Sequence, residues 1–519
     1  MKKILNLFWI GILLILLSCT VTHYSDSISQ TLKDAGNNKK EIKKAISYFQ
    51  VKEDSLQLNA LYFILENLKN HCYVEFALYD SNKVEIPFNI LDYKNYDETI
   101  LALDSLEEIN GELNWKRKKK SEDIETITSE LLIENIELAF KAWQQKSWAK
   151  DFSYDEFREY ILPYRGSSEP LESWRPFFLE RYENLSEEMN DPTDPIEAAR
   201  LINEDVKSLF GFDARFYCHP TDQGLSEMLK NELGRCEDMT NFTIYALRAN
   251  ALPITSDYTP HWADTGNNHA WNTIIMPGGK AVPFMGAEAN PGDYNLHHKL
   301  AKAYRKTFSE QKDNLAFKLN EGEKAPPWLT GKNYLDVTPT YTEISDVTLK
   351  INYDIPDSTR FAYLCVFNAG EWKAIHWGKI NSLNNVTFDK MGVDIAYLPM
   401  FYVNKELISA GFAFILENDG TLRELNKSET TKNLKLISVT KKTIKQATEN
   451  KEIIFLDEDA EYELFFWEDE WISLGEKNCN VEPLLFEDVP SNCLYWLVKK
   501  DSRKEERIFT YENGNQVWW

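Results

Sequence analysis

Residues 234–238 read Gly-Arg-Cys-Glu-Asp, and residues 269–272 read His-Ala-Trp-Asn. Apolar residues after Cys236 recur at helical spacing, so we expect the cysteine to lie in the first turn of a helix. Alternation from His269 to Ile275 predicts a strand that begins near the histidine. A cysteine at a helix start and a histidine on a later strand are the two groups that a thiol nucleophile requires.

Each half of this pattern also has an ordinary structural explanation. Most single cysteines pack in a core, and a lone histidine at a strand start is usually a hydrogen-bonded polar residue. The helix start gives Cys236 a chemical role, because the positive end of the helix dipole should lower the pKa of its thiol below the usual value of about 8.5. The unpaired N–H groups of the first turn could also stabilise an oxyanion.

Three further segments extend the pattern. Residues 248–254 read Arg-Ala-Asn-Ala-Leu-Pro-Ile, residues 277–279 read Pro-Gly-Gly, and residues 282–284 read Val-Pro-Phe. Together with the cysteine and histidine segments, they resemble the core of the transglutaminase-like superfamily. The resemblance implies the Cys-His-Asp arrangement of thiol proteases. In that arrangement Cys236 is the nucleophile, and His269 acts as general base and then as general acid.

The resemblance covers roughly residues 195–295 and departs from the family at the third member of the triad. The family normally has an aspartate just after the return strand, where this chain has Phe-Met-Gly-Ala at 284–287. The nearest carboxylates are Glu288 and Asp293, and we expect Glu288 to orient His269 if the loop folds back. Loss of the orienting carboxylate reduces activity without necessarily abolishing it. A catalytically weak or inactive domain therefore stays open as an alternative.

The first residues have the pattern of an export signal. Lys2 and Lys3 precede an apolar run from residue 4 to 17, which is too short to span a membrane comfortably. Leu-Leu-Ser-Cys at 16–19 resembles a bacterial lipobox, which implies lipidation of Cys19 and anchoring in the bacterial cell envelope. An ordinary signal peptide or an uncleaved anchor is the alternative.

The remaining length of about 500 residues predicts three or four domains in a multidomain α+β protein. Helical spacing of apolar residues dominates up to about residue 190, a mixed helix-and-hairpin unit follows, and the C-terminal part is rich in strand patterns. The predicted divisions are a lipoprotein signal peptide (1–19), a flexible tether (20–40), a helical domain (41–190), a transglutaminase-like or papain-like core (191–300), a linker (301–340), a first β module (341–428) and a second β module (429–519).

The two β modules are predicted from an internal repeat. Phe-Asp-Lys-Met-Gly at 388–392 corresponds to Phe-Glu-Asp-Val-Pro at 486–490, at an offset of 98 residues. The dipeptides Val-Thr at 347–348 and at 439–440 match as the starts of the two copies. Short strand patterns with hairpin glycines favour two repeated sandwich-like modules.

Composition excludes some function classes. The formal net charge of −24 makes the chain a poor candidate for nucleic-acid binding. Seven cysteines show no CxxC pair and no metal-like spacing, so we expect no metal site and no cofactor. We expect Cys72, Cys218 and Cys365 to pack as small buried residues.

Two charged motifs have ordinary interpretations. The basic run at 118–120 is interpreted as a solvated approach to a helix. The pair His297-His298 is interpreted as lying on the surface of a helix, without carboxylates at metal-ligand spacing.

Two hypotheses about function follow. The first is a cell-envelope lipoprotein whose Cys236 attacks peptide or amide carbonyls and forms a thioester that water hydrolyses. The second is a catalytically weak or inactive relative that binds peptide or glycan. The expected partners are a peptide, protein or glycan at the cell surface or in the periplasm, and the membrane through a lipid anchor, with no nucleic acid.

Overall fold

The computed structural model describes residues 24–441, 455–480, 483–502 and 506–519. The predicted signal peptide and Cys19 lie outside these residues. Across the described ranges, each helix is too short or too polar to cross a bilayer.

Helices form most of the N-terminal half. Their bounds are α1 (Asp26–Asp34), α2 (Lys39–Lys52), α3 (Ser55–Asn67), α4 (Tyr96–Asn110), α5 (Asp123–Thr126), α6 (Ser129–Gln145), α7 (Tyr154–Glu156), α8 (Arg175–Arg181), α9 (Leu185–Glu188), α10 (Pro195–Leu209), α11 (Leu225–Asn231) and α12 (Cys236–Ala249). The predicted flexible tether is wrong where helix α1 lies, because Ile28 and Leu32 bury their side chains in the same apolar core as α2, α3 and α6.

The region predicted as helical also contains a small antiparallel sheet in the order β2-β1-β3. Its strands are β1 (Cys72–Tyr79), β2 (Glu85–Ile86) and β3 (Asn114–Glu122). The basic run at 118–120 is exposed and leads into helix α5, as its interpretation as a solvated approach to a helix predicts, but the approach itself is strand β3. Lys118 forms ion pairs with Glu75 of β1 and with Glu85 of β2. A strand that is polar on both faces has no apolar periodicity from which to predict it.

The central part contains a five-stranded antiparallel sheet in the order β10-β9-β6-β7-β8. Strands of the central part are β4 (Gly211–Phe212), β5 (Leu233–Gly234), β6 (Ile254–Thr259), β7 (His269–Ile275), β8 (Ala281–Phe284), β9 (Tyr304–Lys306) and β10 (Tyr334–Asp336). Helix α12 packs against β6 and β7, and most of its residues are buried. This packing brings the start of the helix to the start of β7.

The entry into α12 depends on a glycine and an acidic cap. A Cβ atom on Gly234 would lie 2.6 Å from the Cβ atom of Asp238 and 2.6 Å from the Phe210 ring, so no larger residue fits without movement. The Asp238 carboxylate accepts hydrogen bonds of 3.0 Å from the backbone N–H groups of Arg235 and Gln223. The predicted helix start at Cys236 is confirmed.

The C-terminal part consists of antiparallel sheets. The first β module contains β11 (Ile344–Lys350), β12 (Phe361–Asn368), β13 (Glu371–Lys379), β14 (Asn385–Gly392), β15 (Ile395–Val403), β16 (Glu406–Ser409), β17 (Ala413–Leu416) and β18 (Leu422–Leu425). The second β module contains β19 (Thr431–Leu436), β20 (Glu461–Glu468), β21 (Glu470–Asn478), β22 (Leu484–Pro490), β23 (Tyr495–Lys499), β24 (Ile508–Glu512) and β25 (Asn515–Trp518).

The two modules have matching strand orders. The main sheets run β13-β12-β15-β17-β18 and β21-β20-β23-β24-β25, and each module adds a two-stranded pair, β11-β14 or β19-β22. Val347 faces Phe388 in the first module, and Leu434 faces Phe486 in the second. Leu434 is therefore the equivalent of Val347, and the proposed match to Val439 is wrong. The predicted α+β architecture, with a helical N-terminal region and a β-rich C-terminal part, is confirmed.

An aromatic cluster joins the two β modules. The ring centroid of Phe367 lies 5.5 Å from that of Trp471 and 5.2 Å from that of Trp496. Trp372 lies 5.6 Å from Trp467 in the same cluster. Because buried aromatic pairs stabilise an interface beyond the area that they cover, this cluster holds the modules in one arrangement.

The cysteines of the described residues are free thiols. Cys218 and Cys365 are buried as expected. Cys72 begins strand β1 and is only half-buried, so its predicted burial is wrong.

Candidate active site

Cys236 is the first residue of helix α12, and 8% of its surface is exposed. Its sulfur hydrogen bonds with the backbone of Ala270, the residue that follows His269 on β7. The sulfur therefore lies against the start of the strand that carries the histidine. Helix α12 and strand β7 hold this arrangement through their packing.

Burial controls the ionisation of the Cys236 thiol. Loss of solvent raises its pKa to about 11, and the negative charge of Glu237 acts in the same direction. Backbone hydrogen bonds from Ala270 and Glu237 and the positive charge of Arg235 lower the pKa by less. The prediction that the helix start lowers this pKa is wrong, because desolvation of a thiolate outweighs a partial charge.

His269 is the first residue of β7 and is half-buried. Its Nε2 atom shares a hydrogen bond of 2.6 Å with the hydroxyl of Tyr294. The imidazole stacks on the indole of Trp262, with ring centroids 5.8 Å apart. Burial lowers the pKa of His269 to about 4, with a smaller contribution from the charge of His298. The imidazole is therefore neutral at pH 7.

Tyr294 links the two candidate catalytic groups. Burial raises the pKa of its hydroxyl, and the charges of Glu288 and Cys236 raise it further. The hydroxyl therefore bonds with His269 and lies within electrostatic reach of the sulfur. Sequence reasoning missed this residue, because nothing in the local pattern distinguishes it among 25 tyrosines.

The carboxylates near the return strand lie apart from the imidazole. Glu288 is exposed in the turn after β8, and its backbone N–H donates to the carbonyl of Met285. Asp293 is paired with Arg200 at 3.4 Å. Among the hydrogen bonds of the described residues, the partner of His269 Nε2 is the hydroxyl of Tyr294 and not the carboxylate of Glu288. The assignment of Glu288 as third member stays a prediction.

A charged pair lies beside the cysteine. Glu237, in the first turn of α12, forms an ion pair with Lys306 of β9. Ser167 bonds with both, accepting from Lys306 at 3.0 Å and donating to Glu237 at 3.2 Å. The lysine lowers the pKa of the Glu237 carboxyl, although burial opposes it. The carboxylate next to the thiol is therefore held in an ion pair with a fixed cation.

Comparison with known proteins identifies the central part of the chain. Residues 183–284 match the Transglutaminase-like superfamily. These residues are a transglutaminase-like domain. The resemblance predicted over roughly residues 195–295 is thereby confirmed.

Structural comparison finds distant likenesses. A proposed cysteine protease from Cytophaga hutchinsonii aligns at 13% identity and a TM-score of 0.16, covering 22% of this chain and 37% of that chain. Red sea bream transglutaminase aligns at 8% identity and a TM-score of 0.19, covering 90% of this chain and 79% of that chain. A search of curated proteins gave no match. Scores this low support no argument about fold or function.

A cleft of about 760 Å³ opens beside His269 of the transglutaminase-like domain. The domain and both β modules contribute to its walls. Lining residues include Tyr217, Trp262, Asp264, Asn267, Asn268, His269, His298, Ala369, Lys441, Arg507 and Trp519. Trp262 and Asp264 belong to the segment that precedes the histidine in the chain. His298 lies in a loop, so its placement on a helix is wrong, and its Nδ1 atom is 3.3 Å from the Asp264 carboxylate.

One cluster outside the transglutaminase-like domain has the residue types of a metal site. Ligand atoms of Asp336, His376 and Asp389 lie within 4.8 Å of one another. The buried ammonium of Lys302 donates to the Asp336 carboxylate and to the carbonyl of Asp389, each at 2.6 Å. His376 bonds with Asp389 at 2.8 Å. A cation of the protein already balances these acids, and we assign no metal ion here.

Proposed function

We propose that the transglutaminase-like domain is a cysteine hydrolase that opens amide bonds of peptides or proteins through a thioester on Cys236. The observation that supports it most is the hydrogen bond between the sulfur and the backbone of Ala270, next to His269. A nucleophile and a base on adjoining elements are the shared feature of thiol hydrolases.

The proposed mechanism begins with both groups neutral. Because burial raises the pKa of Cys236 and lowers that of His269, a stable thiolate–imidazolium pair is disfavoured. We infer that His269 accepts the thiol proton as the sulfur attacks the carbonyl carbon, and then donates it to the leaving amine. Water next attacks the thioester, the S–C bond breaks, and the acid product leaves with the thiol restored.

We propose that Tyr294 and Glu288 together take the role of the missing aspartate. The Tyr294 hydroxyl would hold the imidazole of His269 through its hydrogen bond of 2.6 Å. Burial is the main cause of the raised pKa of Tyr294, and the charge of Glu288 raises it further, so Glu288 acts on that hydroxyl. In this proposal Glu288 orients the histidine through the tyrosine rather than by direct contact.

We also propose that the protein works at the bacterial cell envelope, anchored by a lipid on Cys19. The supporting observation is the basic, apolar and Leu-Leu-Ser-Cys pattern of residues 1–19. The substrate would then be a peptide or protein outside the cytoplasm, entering through the cleft beside His269.

The enzymatic proposal is tested with p-nitrophenyl acetate, a small activated ester that acylates nucleophilic thiols without needing a specificity pocket. We expect a burst of nitrophenolate of about one equivalent per chain, with the acyl group on the peptide that contains Cys236. Cys236→Ala should abolish the burst. Cys72→Ala, which removes a more exposed thiol, should leave it intact.

The alternative is a binding module for peptide or glycan. Two observations favour it: the raised pKa of the buried Cys236 thiol and a hydroxyl, rather than a carboxylate, on Nε2 of His269. Acylation that is absent, or that occurs at Cys72 and not at Cys236, would reject the hydrolase and leave this alternative.

A further inference from the structure

Asn368 is the last residue of β12 in the first β module, and its side chain is buried. Its Nδ2 atom donates to the backbone carbonyls of Trp262 at 3.0 Å, Thr265 at 3.0 Å and Asn267 at 2.9 Å. Two N–H groups thus serve three acceptors, all in the segment that leads into His269. We call residues 262–268 the histidine loop.

The histidine loop is closed on itself. The backbone N–H of Trp262 donates to the carbonyl of Asn267 at 3.2 Å. Asn267 has a φ of 72°, in the left-handed region, where asparagine is tolerated better than most residues. Backbone carbonyls converge inside such a loop and need a donor, since a buried carbonyl without one is costly. The Asn368 amide supplies that donor from another module.

The loop controls the surroundings of the imidazole. The Trp262 indole is buried and stacks on His269 at 5.8 Å, and its other neighbour is His298 at 5.3 Å. Movement of the loop would shift the indole and admit water to the imidazole. Both the orientation of His269 and its desolvation therefore depend on what holds the loop.

A second side chain strengthens the connection between the modules and the loop. Arg507 of the second β module is buried and donates to the carbonyl of Ala263 at 2.6 Å. It also donates to the carbonyl of Phe367, the neighbour of Asn368, at 2.7 Å. Arg507 therefore holds the end of strand β12, where Asn368 lies, through a hydrogen bond to its backbone.

The internal repeat shows that this asparagine is particular to one copy. Asn368 faces Glu371 across the β12–β13 hairpin, and Glu468 faces Glu470 at the corresponding place in the second β module. Glu468 is exposed, and its carboxylate forms an ion pair with Lys427 at 2.9 Å. A carboxylate cannot donate to carbonyl groups. Of the two copies, the first β module therefore carries an amide at this position, and that amide reaches the histidine loop.

We propose that Asn368 is a positioning residue for His269, so that the first β module is part of the reactive unit. The role in turnover rests on the proposed function, whereas the structural role does not. Asn368 acts by holding the histidine loop and, through Trp262, the imidazole.

The test compares Asn368→Asp, which keeps the shape but removes the donor, with Glu468→Ala as the matched control in the other module. Diethyl pyrocarbonate modifies neutral imidazoles, and peptide mass spectrometry gives the rate at His269 from pH 5 to 8. In the parent and the control this rate should be slow and independent of pH. In Asn368→Asp the modification rate of His269 at pH 8 should be higher than in the parent. As the pH is lowered, this rate should fall with a midpoint near 6.5, the ordinary pKa of histidine.

Groups facing the imidazole stay unchanged in these variants, namely Tyr294, His298 and Glu237. We also expect acylation of Cys236 by p-nitrophenyl acetate to slow on the order of 10- to 100-fold in Asn368→Asp. If Asn368→Asp does not fold, the same measurements are made on Asn368→Ser. The serine hydroxyl is a donor, but it is too short to reach the three carbonyls, so the same changes are expected.

A pH-independent, slow rate at His269 in a folded Asn368 variant would overturn the proposal. A shifted profile at His269 together with no acylation in the parent would instead reject the hydrolase and leave the positioning role standing. A failure of the positioning role of Asn368 and a failure of the proposed hydrolase therefore give different results.

Discussion

Alkylation of Cys236 by iodoacetamide should become about tenfold faster with each pH unit between pH 7 and 10. The thiolate is the reactive form, and burial raises the pKa of this thiol from 9.0 to about 11. At pH 8 about one molecule in 1,000 then carries the thiolate, against about one in ten for a thiol with the unshifted pKa. The expected rate at pH 8 is thus about 100-fold lower than ionisation of an unperturbed thiol would give.

The measurement is peptide-resolved mass spectrometry after timed alkylation from pH 6 to 10. Cys493 of the second β module is the internal standard, because it is also buried and burial also raises its pKa to about 11. We expect the two profiles to have the same slope. A Cys236 profile that levels off below pH 8 while that of Cys493 still rises would refute the reasoning, since it would require a thiolate stabilised by His269.

The same shift predicts a loss of stability at alkaline pH. A pKa raised in the folded state contributes stability that is present below pH 9 and is lost as the pH rises toward 11. Two pKa units correspond to about 3 kcal/mol in the free energy of unfolding. About 2 kcal/mol of this should be lost between pH 8 and pH 10.5, measured by denaturation as the difference between the parent and Cys236→Ala. Equal alkaline loss in both proteins would contradict it.

Two further substitutions test the surroundings of the site. Tyr294→Phe removes one hydrogen bond to His269, which contributes about 0.5–1.5 kcal/mol, so acylation of Cys236 should slow roughly 2- to 12-fold. An unchanged burst rate would show that the Tyr294 hydroxyl does not orient the imidazole. Gly286→Ala would place a Cβ atom 2.1 Å from Oγ1 of Thr243 and should lower the free energy of unfolding by about 1–3 kcal/mol. Thermal melts check this against Gly211→Ala, whose Cβ would meet its nearest atom at 4.0 Å; equal melting temperatures would contradict it.

Local signals in the sequence were sufficient for the elements that carry the site. A glycine, a cysteine and a run of helical spacing predict a helix that starts at Cys236, and the structure has α12 there. The turn glycines at 278–279 predict the β7–β8 hairpin, which pairs Asn272 with Phe284. These features depend on residues close together in the chain, so periodicity and turn chemistry reveal them.

Polar surfaces and loops carry little periodic signal, so the sequence does not predict the structure there. The strand at 114–122 has charged residues on both faces, and His298 lies in a loop where a helix was expected. The dipeptide at 439–440 matches Val347-Thr348 in sequence, but the pairing of Leu434 with Phe486 defines the register of the second repeat. Strand register is a property of pairs of strands, and one strand alone does not reveal it.

The sequence by itself determined that a cysteine opens a helix, that a histidine opens a strand, and that two β modules follow. Tertiary structure alone decided the chemical state of the thiol, the hydroxyl of Tyr294 on His269 and the amide of Asn368 inside the histidine loop. The reason is that burial and hydrogen bonding there join residues 25 to 106 positions apart, and such contacts arise only when separate elements pack together.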